Sequence, residues 1–171
     1  MANEIVFRKV NLNESEKLSI LAKKLWHGAY DNLKGIGKAQ VDYMTEKFQS
    51  PVAISDQMQN DSYEYYFIEY DKKTAGYVGI QRQENSLFLS KIYLDSAYFD
   101  KGIGQKSLLV VKKIAQDYGY KEIYLTVNKN NVRAYTAYER FGFIRTSECV
   151  TDIGGGFVMD DYIYTLKINL Y

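Results

Sequence analysis

The chain has 171 residues, 46% of them hydrophobic, which is enough for a single domain (1–171) with a sizeable core. A net charge of +1 gives no reason to expect a nucleic-acid or anionic-membrane partner. One cysteine, Cys149, excludes an internal disulfide, and one histidine, His27, leaves no Cys/His set for a metal. The first residues carry charges where a signal peptide is apolar, and no run reaches the length of a membrane span. A cytoplasmic protein is the expectation.

Ile5 to Val10 reads as a short strand, and Asn11-Leu12-Asn13 as a turn or helix cap. Leu18, Leu21, Ala22, Leu25 and Ala29 recur at helical spacing, giving a helix from about Ser15 to His27. Trp26, His27 and Tyr30 at its end read as core. Asp31 to Gly37 breaks the pattern and Lys38 to Phe48 resumes it. Ser50-Pro51 is a cap followed by proline at the first helical position, starting a short helix to about Asn60. Counted as two helices between the first two strands, this region is expected to form a flap for substrate selection.

Three strands follow with short turns, Tyr63 to Tyr70, Thr74 to Arg82 and Leu87 to Leu94, as in an antiparallel meander. Gly102 and Gly104 then sit between a strand and the helix predicted from Leu108 to Tyr118, which Gly119 stops. Glycine there permits a sharp turn and close approach of a ligand to the main chain. A helix N-terminus has unpaired N–H groups and partial positive charge, so the turn reads as a pyrophosphate site. Lys101, Gln105, Lys106 and Ser107 are expected to add donors. No Gly-Lys-Ser/Thr follows, which disfavours a nucleoside-triphosphate loop.

Glu122 to Val127 reads as a strand parallel to its predecessor, and parallel neighbours that diverge open a slot for a long thin ligand. Val132 to Phe141 is a second helix stopped by Gly142. Phe143 to Val150 and Phe157 to Leu170 read as a closing hairpin separated by Asp152-Ile153-Gly154-Gly155-Gly156. Cys149 reads as a small buried hydrophobe.

Asn131-Val132-Arg133-Ala134-Tyr135-Thr136-Ala137-Tyr138-Glu139-Arg140-Phe141-Gly142-Phe143 resembles a signature of the GCN5-related N-acetyltransferase (GNAT) family, and Phe99-Asp100-Lys101-Gly102-Ile103-Gly104 resembles its pyrophosphate loop. The element order β-α-α-β-β-β-α-β-α-β-β matches over nearly the whole chain. The resemblance implies an α+β (α/β) fold with a central mixed, mostly antiparallel seven-stranded sheet flanked by helices. It implies acetyl-CoA as cosubstrate, held in the V between the strands ending at Leu94 and Val127. Its pyrophosphate would rest on Phe99, Asp100, Lys101, Gly102, Ile103, Gly104, Gln105, Lys106 and Ser107. Main-chain groups of Ile92, Tyr93 and Leu94 would pair with the pantetheine arm, with Asn131, Ala134 and Tyr138 on the other side. One departure stands out: Phe99 occupies a position where the family usually has Arg or Gln.

The implied reaction is attack of a neutral amine, from a polyamine-like small molecule or a peptide, on an acetyl thioester. An N–H near Ile92 is the candidate oxyanion donor. The departing thiolate needs a proton, and Tyr138 is the candidate acid, since a phenol near ~10 lies within about 1.5 units of a thiol near ~8.5. No carboxylate lies on the strand before the glycine turn. Glu84, Asp160, Asp161 and His27 remain candidate bases, and a water relay or a backbone carbonyl would do equally well. Acids in the glycine-rich Asp152 to Tyr162 stretch are expected either to receive a cationic amine or to be solvated at a loose hairpin tip. The long terminal strands leave room for a homodimer. A non-catalytic acyl-CoA-binding module is the alternative.

Overall fold

The computed structural model describes residues 3–169. Strand β1 (Ile5–Lys9) leads to helices α1 (Ser15–Tyr30), α2 (Lys38–Gln49) and α3 (Pro51–Asn60). Strands β2 (Tyr63–Tyr70), β3 (Lys73–Arg82) and β4 (Leu87–Leu94) follow, then α4 (Ile103–Asp117), β5 (Glu122–Asn128), α5 (Val132–Phe141), β6 (Ile144–Gly154) and β7 (Phe157–Lys167). The seven strands form one sheet in the order β1-β2-β3-β4-β5-β7-β6. Only the β4–β5 pair is parallel.

Local chemistry sets most boundaries. Asn11 and Glu14 form a reciprocal capping box that starts a single 3-10 turn leading into α1. The Ser50 hydroxyl accepts the Ala53 N–H at 3.2 Å, with Pro51 in the first turn, so α2 and α3 are separate helices. Three helices, not two, therefore lie between β1 and β2. They are packed down rather than hung out as a flap: Leu18, Ala22, Leu25 and Ile54 bury against Tyr65, Phe67 and Tyr77. On the opposite face, Ile103, Leu108, Val111 and Ala115 of α4 pack on Ile68, Val78, Ile80, Leu87 and Leu89.

Two boundaries differ by several residues from expectation. Helix α4 begins at Ile103, five residues early, because Gly102 takes the left-handed φ of +77° and caps it. Strand β6 continues through Asp152 to Gly154, so the turn to β7 shrinks to Gly155–Gly156. Its glycines admit α2: a Cβ on Gly154 would run into the Tyr43 hydroxyl, and one on Gly155 would meet the Tyr43 ring at 2.8 Å. The Tyr43 hydroxyl donates to the Ile153 carbonyl at 2.9 Å, and the Lys47 ammonium donates to it at 2.6 Å. The expected loose tip is thus pinned to α2. The predicted strand end at Leu170 lies outside the described residues. No helix among them is long and apolar enough to cross a membrane.

Candidate active site

Strands β4 and β5 pair at only two positions, Leu87 with Ile123 and Phe88 with Tyr124, and then part. The Phe88 and Tyr124 rings stack at 4.7 Å where the fork closes. Past it, β4 has a strand partner on one side only. The opening is the floor of a cavity of about 940 Å³ walled by α1, β4, the start of α4, β5, α5 and β7.

The glycine turn stands at the wide end. Asp100 (φ +62°) and Gly102 bend the chain so that α4 points its first turn at the cavity. The Lys106 N–H reaches the Gly102 carbonyl at 3.1 Å; among the described residues, the N–H groups of Ile103, Gly104 and Gln105 before it have no carbonyl partner. The side-chain donors expected here are spent elsewhere. Gln105 donates its amide to the Ala137 carbonyl at 3.0 Å, tying α4 to α5. Ser107 is fully buried and donates to the Ile103 carbonyl at 2.7 Å. Lys101 and Lys106 are exposed and off the cavity wall. Arg133 of α5 does reach this end, its guanidinium lying 4.0 Å from the centre of the Phe99 ring and 3.4 Å from the Asp100 carboxylate.

Ile92, Tyr93 and Leu94 lie on the wall as expected, as do Asn131, Ala134 and Tyr138. The Asn131 side chain accepts the Ala134 N–H at 3.3 Å and caps α5. The Tyr93 hydroxyl shares a 2.7 Å hydrogen bond with Tyr30, which is both core and cavity wall. Tyr138 is half-buried, and its hydroxyl makes no hydrogen bond among the described residues. Burial first, and then the nearby Tyr30 phenol, push its pKa above the ordinary tyrosine value, so it stays protonated.

The carboxylates sort cleanly. Glu84 is exposed in the β3–β4 turn and off the wall. Asp160 is half-exposed and paired with Lys129 at 3.0 Å. Asp161 is buried on the wall, and burial, then Asp160, push its carboxyl up to about 6, against the opposing pull of Lys129. His27 bridges helices instead of facing the cavity, with Nδ1 2.6 Å from Asp31 and Nε2 3.0 Å from Asp42. Cys149 is partly exposed and on the wall, not in the core.

Lys91 is a wall residue that the sequence reading did not single out. Ser90 is an extra residue in β4, since Ile80 pairs with Leu89 and Gly79 with Lys91. The bulge turns Lys91 to the α1–α3 face, away from Leu87 and Leu89. Its ammonium sits 4.8 Å above the Tyr63 ring and 5.8 Å above the Tyr65 ring, and donates to Ser90 at 2.7 Å. No carboxylate among the described residues pairs with it, and burial alone pushes its pKa down to about 7. The available signal was an ionic residue inside an apolar strand.

The family model for the acetyltransferase (GNAT) family matches residues 33–143. The chain belongs to this family. Spermine/spermidine N(1)-acetyltransferase of Bacillus subtilis (strain 168) is 33% identical over 78 residues, 45% of this chain and 46% of that protein, so the chain spans about half the length of the curated relative it matches. Spermidine N(1)-acetyltransferase of Thermoplasma acidophilum is 24% identical over 142 residues, 81% of this chain and 88% of that protein. A crystal structure of the PaiA N-acetyltransferase from Thermoplasma acidophilum, in complex with coenzyme A, superposes with a TM-score of 0.78 at 23% identity, covering 98% of this chain and 99% of that one. That likeness carries the fold.

GNAT enzymes use acetyl-CoA, and the residues present here fit it. The unpaired first-turn N–H groups suit a pyrophosphate, the one-sided edge of β4 suits an amide-bearing arm, and a Cβ placed on Gly102 would meet nothing within 4 Å.

Proposed function

We propose that this chain transfers the acetyl group of acetyl-CoA to a primary amine of a polyamine-like small molecule or a peptide, with Tyr138 as the general acid. The observation that carries this reading is one continuous cavity, from the free N–H groups of α4, along the opened edge of β4, to the unpartnered phenol of Tyr138. The names of the relatives in Bacillus and Thermoplasma support the polyamine class of acceptor.

When bound, acetyl-CoA supplies a thioester that a neutral amine attacks. Gly102 to Gln105 would hold its pyrophosphate, and the opened edge at Ile92 to Leu94 would align its arm. An alkyl amine with a pKa near ~10.4 is mostly protonated at neutral pH, a penalty of roughly 4–5 kcal/mol that the site must offset. The Ile92 N–H is the donor for the carbonyl oxygen as charge gathers there. Tyr138, kept neutral by its surroundings, holds a proton for the leaving sulfur.

The test is thiol release from acetyl-CoA across polyamines, aminoglycosides, amino acids and peptides, beside calorimetric titration with CoA. Turnover on at least one amine, confirmed by the mass of the acetylated product, is expected. CoA binding with no turnover on the whole panel would replace this reading with a non-catalytic acyl-CoA-binding module.

A further inference from the structure

Three carboxylates stand on the cavity wall, Asp95, Asp100 and Asp161. Asp95 is held by Lys24 at 2.8 Å and by the Ala97 N–H at 3.0 Å. Asp100 sits at the exposed outer end under Arg133. Asp161 has no such partner. It lies on β7, opposite Asn128 of β5 and Cys149 of β6, and is 6% exposed. Its Oδ1 is shut off from solvent and is the one buried side-chain polar atom without a hydrogen-bond partner among the described residues.

Among the described residues, none of the groups around it donates a hydrogen bond to its carboxylate. Asn128 Oδ1 accepts the Asn130 N–H at 2.8 Å. Lys129, at the end of β5, reaches Asp160 at 3.0 Å and Glu148 of β6 at 3.3 Å. Tyr30 of α1, whose phenol feels the Asp161 charge, is bonded to Tyr93. A carboxylate with one oxygen shut off from water and unpaired is disfavoured unless a cation or donor completes it. The space on its open side is the cavity.

We propose that Asp161 is the anion of the acceptor half of the site: it receives the acceptor's ammonium group and takes the proton that must leave before the nitrogen attacks. This rests on the amine acetyltransferase reading above. Asp161 accepts one proton from the ammonium, and the freed lone pair forms the N–C bond to the acetyl carbon. The C–S bond breaks with its electron pair on sulfur, and Tyr138 gives its proton to that sulfur. The second proton on nitrogen passes to the Tyr138 phenolate as the amide forms, and Asp161 releases its proton to solvent. The sum is an ammonium and a thioester giving an amide, a thiol and one proton. Raised to about 6, the carboxyl is ionised at neutral pH yet basic enough to serve as acceptor.

The experiment measures kcat/KM for thiol release from pH 5 to 10 in wild type, D161N and D161E, using the best amine of the panel, with CoA affinity and thermal melts alongside. Wild type is expected to lose rate below pH about 6 with unit slope. D161N should fall at least 100-fold at pH 7, lose that acid limb and climb with pH as free amine accumulates. D161E should recover part of the rate, and CoA affinity should change less than twofold. D161N within threefold of wild type with the limb intact overturns the proposal. So does a wild-type profile without a limb near 6, which decides the matter even where D161N melts early. A wild type that turns over no amine overturns the parent reading as well, whereas turnover matched by D161N overturns this proposal alone.

Discussion

Lys91→Met is the sharpest test of how this cavity is built. In the folded chain Lys91 titrates near 7, because it is buried and no carboxylate compensates it. In the unfolded chain it titrates near ~10.4. Between those values the unfolded state binds the extra proton, so the lysine destabilises the fold fully below about pH 7, and stability rises as pH climbs toward ~10.4. The difference of about 3.4 units is worth roughly 4–5 kcal/mol. The Tyr63 and Tyr65 ring faces return about 0.5–2 kcal/mol of that. Desolvation therefore wins, and methionine, with no charge and similar length, should stabilise the protein by about 2–4 kcal/mol at pH 7. Urea unfolding of both proteins at pH 7, 8 and 9 reads this out, and taking the difference between them cancels the other titrating groups. The advantage should shrink by roughly 2 kcal/mol from pH 7 to 9. A variant less stable than wild type at every pH, or one whose gain ignores pH, refutes the reasoning.

Tyr138→Phe should cut turnover by about 10²–10⁴ while calorimetric CoA affinity changes little, and equal turnover removes the phenol from the mechanism. Arg133→Ala should weaken CoA binding several-fold, more so at low salt, with an unchanged melting temperature; unaltered binding would mean the loop needs no cation where Phe99 stands. Gly154→Ala should cost about 1–3 kcal/mol in chemical denaturation, since it combines a φ of +88° with a Cβ placed against the Tyr43 hydroxyl, and Tyr43→Phe in the same background should recover part of the loss.

Much of the frame was legible because it rests on local chemistry. Ser50-Pro51, Asn131 and Gly119 announce their helix ends through side-chain caps and left-handed backbone, which operate within a few residues. The start of α4 was misplaced because Gly104, Gln105 and Lys106 carry no apolar stripe; only their backbone is helical. The length of β6 was hidden by Gly154, which looks like a turn residue but is there to admit Tyr43 from a distant helix. Lys91 was hidden by parity. Strict alternation places it beside Leu89, and the Ser90 bulge, fixed by pairing with β3, moves it to the other face. Asp161 stood among the candidate bases, but nothing in the sequence separates it from Asp160. Pairing does, since Lys129 takes one and the cavity faces the other.

The stacked Phe88 and Tyr124 at the closed end of the fork bear on the donor's size. From Leu94 back to Phe88 the open edge runs six residues, roughly 20 Å of extended chain. With the pyrophosphate held at the start of α4 as proposed above, the two aromatic plates would close the far end of the arm's track and give it a fixed depth. A donor bearing a longer acyl chain would then have to push the plates apart or back its phosphates off the helix, and discrimination among thioesters would grow with each added methylene.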